Sequence, residues 1–495
     1  MKILKHSLEI AVFVCGAVVM VFELIGSRIL GPYFGNSIFV WTGLIGIILG
    51  SLSLGYYLGG KLADKKPAID NLSLLIFLSA IFISITALIK DPLLIFLQSN
   101  FSDIKINSIV SSIILFLPVS LLLGMVSPYA AKLKIENLDN SGATIGNLYA
   151  LSTAGSIVGT FFSGFYLIPK FGTNKLLILL SIILVITSIS LLSKKKLKNK
   201  FVVLVLLILG WSAVEQLQQT AKNKGFIDID TAYSRIWIYD KTNNETKKTT
   251  RTLAINRDLN SAMILNSDEL VFEYTKYYNL ARYFNPNFKT TLMLGGGGYS
   301  FPKKFLSTYP SSTIDVVEID PTITELAVKY FDLKENPRLK IFHEDGRVYL
   351  NQNKKKYDVV FGDAFSSHFS IPYQLTTREA VQKTYDSLNE NGVVILNTIS
   401  SVEGKKGEFL RAELATYKKI FPQVYIFPVT NPKDGLSAQN IVLLALKNNI
   451  VPNFISEDSE IKKYLSHLWK NDISTDMPIL TDDFAPVEYY INKTS

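Results

Sequence analysis

Before Glu215 the chain returns again and again to apolar runs of about 20 residues, the length an α-helix needs to cross the hydrocarbon of a bilayer. Six runs read as spans: Leu8 to Leu30, Ile38 to Leu58, Leu72 to Ile89, Ile109 to Ala131, Ile145 to Ile168 and Leu176 to Leu192. A seventh, Phe201 to Val214, is shorter and suits a re-entrant or interfacial segment as well as a span. The whole 495-residue chain is 48% hydrophobic, with a mean hydropathy of +0.24. That excess is concentrated in this front part and excludes an ordinary soluble enzyme. Leu8 to Leu30 has a basic start in Lys2 and Lys5, but it is too long for a signal peptide and lacks the small-residue cleavage pattern, so it reads as a retained helix. Glycine and serine crowd 43 to 60 and 155 to 164, which lets membrane helices approach closely. Glu23 inside the first span is a costly acid, either paired with Arg28 near an interface or functional.

The second half obeys a different pattern. Thr291 to Leu294 is a short apolar run suited to a strand buried on both faces, and Gly295, Gly296, Gly297 and Gly298 come after it as a tight turn. A helical stretch then leads to a second strand closing in Glu318 and Asp320, the spacing at which an acid past a glycine turn reaches ribose hydroxyls. A third strand, Leu339 to Phe342, precedes Asp345-Gly346, a fourth from Tyr357 delivers Asp363, and Gly392 to Asn397 reads as a fifth. Acid-ended strands on one edge point to a nucleotide site, although any one of these acids could simply cap a helix or turn.

These residues resemble the spermidine synthase-like aminopropyltransferases, in particular a membrane-fused branch, over about Tyr233 to Tyr490. The fold class implied is a multispan α-helical membrane domain, then a small β-region, then an α/β Rossmann-like domain of the S-adenosylmethionine type. We expect boundaries of 1–214, 215–285 and 286–495. The resemblance matches the donor-binding glycines to Gly295, Gly296 and Gly297, the ribose acid to Glu318 with Asp320 beside it, the adenine-side pair to Asp345 and Gly346, and the catalytic aspartate to Asp363. The segment from Pro372 resembles the stretch just after the family's gate loop, and TDDFAPVEYY from Thr481 resembles its C-terminal signature. Two positions depart. Where the family carries an acid that holds the donor's amine, this chain has Gly298, and where it carries a second acceptor-binding acid, this chain has Ser366. We expect Gly298 to relieve repulsion of a donor carboxylate and to open space.

A sulfonium donor loses a neutral thioether when a nucleophile attacks the adjacent carbon, so positioning dominates and little acid help is required. An amine nucleophile must lose a proton, and Asp363 is the carboxylate placed to take it; its alternative is an N-cap at Ala364. Tyr233 and Tyr373 are candidates to line the cleft against the cation, or plain packing residues. His368 beside the gate is a candidate proton shuttle, or a solvated loop residue. The implied substrates are S-adenosylmethionine or its decarboxylated form, with an amine acceptor. The alternatives are a lyase forming methylthioadenosine and homoserine lactone without an amine, and a nucleotide-sensing transporter that does not turn over. Methyl transfer, which uses the same fold, comes third.

Lysines gather at 2 and 5, 61 to 66, 132 to 134 and 194 to 200, which puts those ends and the amino terminus in the cytoplasm. With an interfacial seventh segment the enzyme domain is expected in the cytosol, where nucleotides are supplied. The net charge of +9 lies largely in these flanks and in Lys354 to Lys356, read as a solvated turn. Anionic lipid is therefore the expected partner rather than nucleic acid, and a homodimer is compatible with this reading. Cys15 is the single cysteine, so neither an intrachain disulfide nor a cysteine zinc cluster is expected, and the four histidines show no ligand spacing for a metal.

Overall fold

The computed structural model describes residues 6–101, 103–135, 138–191, part of 202–223, 225–364 and 371–492. The expected seventh segment, Phe201 to Val214, lies in good part outside the described residues, as do Ser366 and His368. The chain divides into two compact units, Met1–Arg235 and Ile236–Ser495.

Long apolar helices build the first unit, as the run lengths predict. Ser7–Phe34, Ile38–Lys65, Ile69–Asn100, Ser141–Lys170 and Thr173–Ser190 are each long and apolar enough to cross a membrane. The fourth expected span is a broken one, Ile104–Leu115 and Leu117–Lys134, bent by 49°. Pro118 sits just past the bend, where its ring and missing N–H stop the ladder from running through. Part of the freed backbone is satisfied by a neighbour, since Thr86 Oγ1 donates to Leu115 O at 3.0 Å. Gly43, Gly55, Gly59, Gly155 and Gly159 work as expected, while Gly46, Gly50, Gly60 and Gly164 have nothing within 4 Å of an added Cβ. A Cβ on Gly155 would lie 2.0 Å from Phe13 O, and one on Gly159 2.5 Å from Ala17 O, so the first and fifth spans touch backbone to backbone. The first unit ends in a short strand, β1 (Ile227–Asp230).

In the second unit, β2 (Arg235–Thr242), β3 (Thr249–Ile255) and β4 (Asp258–Ile264) form an antiparallel meander. A larger sheet comes next, with β5 (Thr290–Leu294), β6 (Thr313–Val317), β7 (Leu339–Phe342), β8 (Tyr357–Gly362), β9 (Leu388–Ser400), β10 (Gln423–Pro428) and β11 (Gln439–Leu446). Their order is β10-β11-β9-β8-β5-β6-β7. β5 to β9 run parallel, and β11 and β10 add on antiparallel. Both faces are covered, which explains the unbroken apolar strands. Leu292, Leu294, Val394, Leu396, Ile441 and Leu443 share one core with Phe409 and Leu410 of the helix Glu408–Ile420. On the opposite face Phe361 meets Phe301 edge-on, with ring centroids 4.9 Å apart.

Two details depart from expectation. Lys355 does not merely face solvent: its Nζ pairs with the buried Asp315 at 2.7 Å. And Glu413, on the helix Glu408–Ile420, is fully buried with neither carboxyl oxygen bonded among the described residues. Burial alone pushes its carboxyl up to about 8, so it is neutral at pH 7.

Two outcomes are expected. Gly155→Leu should cost more than ~2 kcal/mol of stability in detergent, whereas Gly46→Leu, where an added Cβ meets nothing within 4 Å, should be neutral; thermal melts compare them. Glu413 holds its proton longer folded than unfolded, so its contribution is full below the unfolded value near 4.5 and is lost as pH rises through about 8. Glu413→Gln should therefore flatten the loss of stability over that window, by on the order of a few kcal/mol at its alkaline end, in melts run across pH.

Candidate active site

The large sheet reverses direction between β5 and β8, because the chain adds β6 and β7 on one side of β5 and then returns to place β8 and β9 on the other. Ligands of open parallel sheets bind at the carboxyl ends beside such a switch. Here the two strands end in Gly295 and Asp363. Asp363 N donates to Leu294 O at 2.9 Å. Gly295 has φ +96°, and a Cβ there would stand 2.7 Å from Asp363 O. Only glycine permits that conformation and that approach together.

One strand over, Glu318 is 6% exposed. Its Oε2 accepts from Gly296 N at 2.9 Å and Gly297 N at 3.2 Å, and its Oε1 from Asp320 N at 3.1 Å. Burial raises its pKa while these three N–H groups pull it back. Glu318 thus braces the glycine turn, and each oxygen keeps acceptor capacity for a hydroxyl. Asp320 caps the helix Pro321–Tyr330 through Thr322 N. Asp345 caps Gly346–Gln352 with one oxygen, which takes Arg347 N and Val348 N, and turns the other to Gln374 Nε2 at 3.4 Å. Both acids are thus helix caps, the alternative that spacing alone left open, and the second oxygen of Asp345 lies against Gln374.

Asp363 is half-buried and lies among groups that sequence reasoning left out. Tyr274 Oη donates to its Oδ2 at 3.1 Å, and Asn397 Nδ2 to its Oδ1 at 3.5 Å. Tyr278 Oη reaches Gly362 O at 3.3 Å and packs on Phe361. Loss of solvent pushes the Asp363 carboxyl up to about 7, against the downward pull of Tyr274, Asn397 and Tyr278. Beside it opens a cavity of about 540 Å³ lined by Tyr274, Asn397, Gln439, Asn440 and the loop at 430 to 438. Asn397 Oδ1 and Asn440 Oδ1 are buried there without a partner among the described residues. Asn397 had one visible signal, an amide ending the apolar run Val393 to Leu396. Tyr274 had none beyond the tyrosine-rich stretch around it.

Other expectations fall differently. Tyr233 belongs to the first unit and is half exposed, and Tyr373 opens a short 3-10 turn, also half exposed. Gly298 opens no space. A Cβ there would stand 2.8 Å from Ser261 Oγ and 3.0 Å from the Phe331 ring, so β4 already fills the place a side chain would take.

Residues 273–451 match the family model described as the spermine/spermidine synthase domain. The chain carries a spermidine synthase-like domain. Among curated proteins it is 32% identical over 163 residues to a polyamine aminopropyltransferase of Vibrio vulnificus, covering 32% of this chain and 52% of that protein. It is 31% identical over 224 residues to a probable polyamine aminopropyl transferase of Bifidobacterium longum, covering 41% and 49%. The chain thus spans about half the length of these relatives. A crystal structure of a probable spermidine synthase from Corynebacterium glutamicum superposes with a TM-score of 0.45 at 22% identity, over 52% of this chain and 95% of that one. The Rossmann-like fold of the spermidine synthase-like domain rests on its own strand order and glycine turn.

The hydrogen bond from Tyr274 holds the Asp363 carboxylate down, so Tyr274→Phe should move its midpoint upward from about 7, by roughly half a unit to one unit. Infrared difference spectra of the carboxyl stretch, with Asp363→Asn as the blank, read that shift; an unmoved midpoint would remove Tyr274 from the site's electrostatics.

Proposed function

We propose that the spermidine synthase-like domain binds an adenosyl sulfonium, S-adenosylmethionine or its decarboxylated form, at the switch point and transfers its propyl-bearing portion to an amine. The glycine turn and Glu318 receive the ribose, and the outward oxygen of Asp345 faces the adenine side. The amine nitrogen forms a bond to the γ-carbon, the carbon–sulfur bond breaks, and its electron pair leaves on sulfur as neutral methylthioadenosine. The proton lost by the amine goes to Asp363, and the sulfonium charge is discharged in the same event.

The observation that carries this reading is Asp363, bonded by Tyr274 and Asn397 of the cavity wall and with a pKa near 7, the range in which a base is half ready at neutral pH and still worth protonating. The cavity wall supports an amine in particular. Asn397 Oδ1 and Asn440 Oδ1 are acceptors without a donor among the described residues, and the N–H groups of an ammonium can meet both. The match to the spermine/spermidine synthase domain agrees with it, as do the names of the relatives.

A second reading is favoured by Gly298. With no acid at that position, nothing there repels the carboxylate of intact S-adenosylmethionine, and that carboxylate could close a five-membered lactone on its own γ-carbon, an intramolecular advantage worth up to ~7–11 kcal/mol. That ring closure has no proton to remove, so it leaves Asp363 without a task. The two readings therefore separate on one residue.

Purified full-length protein, incubated with each donor with and without putrescine and analysed by mass spectrometry, should release methylthioadenosine only when the amine is present. Glu318→Ala should chiefly raise KM, while Asp363→Asn should depress kcat by about 10²-fold or more with donor binding kept. In the unsubstituted protein kcat should climb as pH rises through about 7. Methylthioadenosine and homoserine lactone formed from S-adenosylmethionine alone, at undiminished rate in Asp363→Asn, would transfer the assignment to the lyase.

A further inference from the structure

The helical unit has two distinguishable ends. At one, Lys134 pairs with Glu9, Lys132 with Asp64 at 2.8 Å, and Ser73 with Ser188, so the start of the first and third spans meets the end of the second, fourth and sixth. At the other, Tyr33 Oη donates to Asp91 Oδ1 at 2.7 Å and Gln98 Nε2 to Tyr33 O at 3.0 Å, joining the far ends of the first and third spans. The segment that leads into the second unit is fastened to this other end. Asp230 Oδ2 takes Thr173 N, at the start of the sixth span, at 2.8 Å, and Arg28 donates to Thr231 O and Ser234 O. Arg235 grips Asp228 through two bonds of 2.9 and 2.7 Å and reaches Asp91 at 3.2 Å. Asp91 also holds Lys90, which is 2% exposed. A bidentate arginine shared with a second carboxylate is a geometrically specific fastening.

The sixth span reaches Ser190 at the first end, and the chain reappears in β1 at the opposite end. Between Ser190 and Ile227 it must pass from one face of the unit to the other, and a helix of about 20 residues is enough for that. Lys61, Lys65, Lys66, Lys132 and Lys134 lie at the first end, with the lysines at 2 and 5 and at 194–200 adjoining it in sequence, against Arg28, Lys90, Lys105, Lys170 and Lys175 at the second, so the flanking lysines tip the balance to the first end. The lysine-rich end is the cytoplasmic one. We infer that the chain crosses the membrane a seventh time and that the unit beginning at Ile236, which carries the spermidine synthase-like domain, lies on the extracytoplasmic side, the face at which the Asp91–Arg235–Asp228 fastening fixes the end of the first unit. This reverses the cytosolic placement expected from the shortness of Phe201 to Val214: chain connectivity between two fixed ends outweighs the apolar length of one segment. Given the activity proposed above, donor and amine then reach the site from outside the cytoplasm.

The test does not depend on activity. In the full chain with Cys15→Ser, a reporter is placed by Glu245→Cys, on the exposed turn between β2 and β3, or by Asp139→Cys, exposed between the fourth and fifth spans. Protoplasts are treated with a membrane-impermeant maleimide before or after permeabilisation. Glu245→Cys should label fully in intact protoplasts, and Asp139→Cys at least tenfold less until they are opened. Protease added to protoplasts bearing the unsubstituted chain should remove a C-terminal tag. Labelling of Glu245→Cys only after opening, labelling of both reporters from one side, or a protected tag would each overturn the assignment.

Discussion

The contact on which the site depends is the approach of the glycine turn to the backbone of Asp363. Two parallel strands that end side by side will not in general let a turn after one rest on the backbone after the other, because a side chain on the turn would hold them apart. At Gly295 the missing Cβ lets the turn rest on the Asp363 carbonyl, while Asp363 N bonds Leu294 O. The carboxylate is thereby delivered at a fixed height above the sheet edge, and Glu318 locks the turn from the other side through Gly296 and Gly297.

Three carboxyl groups in the spermidine synthase-like domain, two buried and Asp363 half-buried, face a desolvation cost and meet it differently. Glu318 offsets it with backbone N–H groups and so becomes a structural brace. Asp363 is offset only in part, by Tyr274, Asn397 and Tyr278, and is left near neutrality, poised to exchange a proton. Glu413 is not offset at all among the described residues and stays protonated. Glu318 and Asp363 each meet hydrogen-bond donors while Glu413 meets none among the described residues, which separates the buried acid from the other two.

The helical unit answers to another solvent. Its helices lack a hydrophobic driving force toward one another in lipid and rely on backbone contact at glycines, on serine bonds and on the ionic fastening at one end. Carrying that fastening at the end of the spans, where Asp91 and Arg235 meet, avoids a charge at mid-bilayer while fixing the face on which β1 emerges.

Much of this was legible in the chain itself. Bilayer thickness sets span length, so six spans could be counted from apolar runs; strand burial on both faces makes unbroken runs such as Leu292 to Leu294 and Val359 to Phe361; and the pattern of strands and acids places Glu318, Asp345 and Asp363 just past the carboxyl ends of β6, β7 and β8, where they stand. These are local signals, written in periodicity and spacing. What only the tertiary structure decided depends on residues far apart in sequence meeting in space. Tyr274 and Asn397 acquire meaning because they converge on Asp363 from before and after it. Gly298 proves to be filled by Ser261 from another strand, a fact no spacing rule carries. And the end of the helical unit at which β1 lies is fixed by Asp91 and Arg235, 144 residues apart, because an ion pair across that separation places a segment in a way that its hydrophobicity does not.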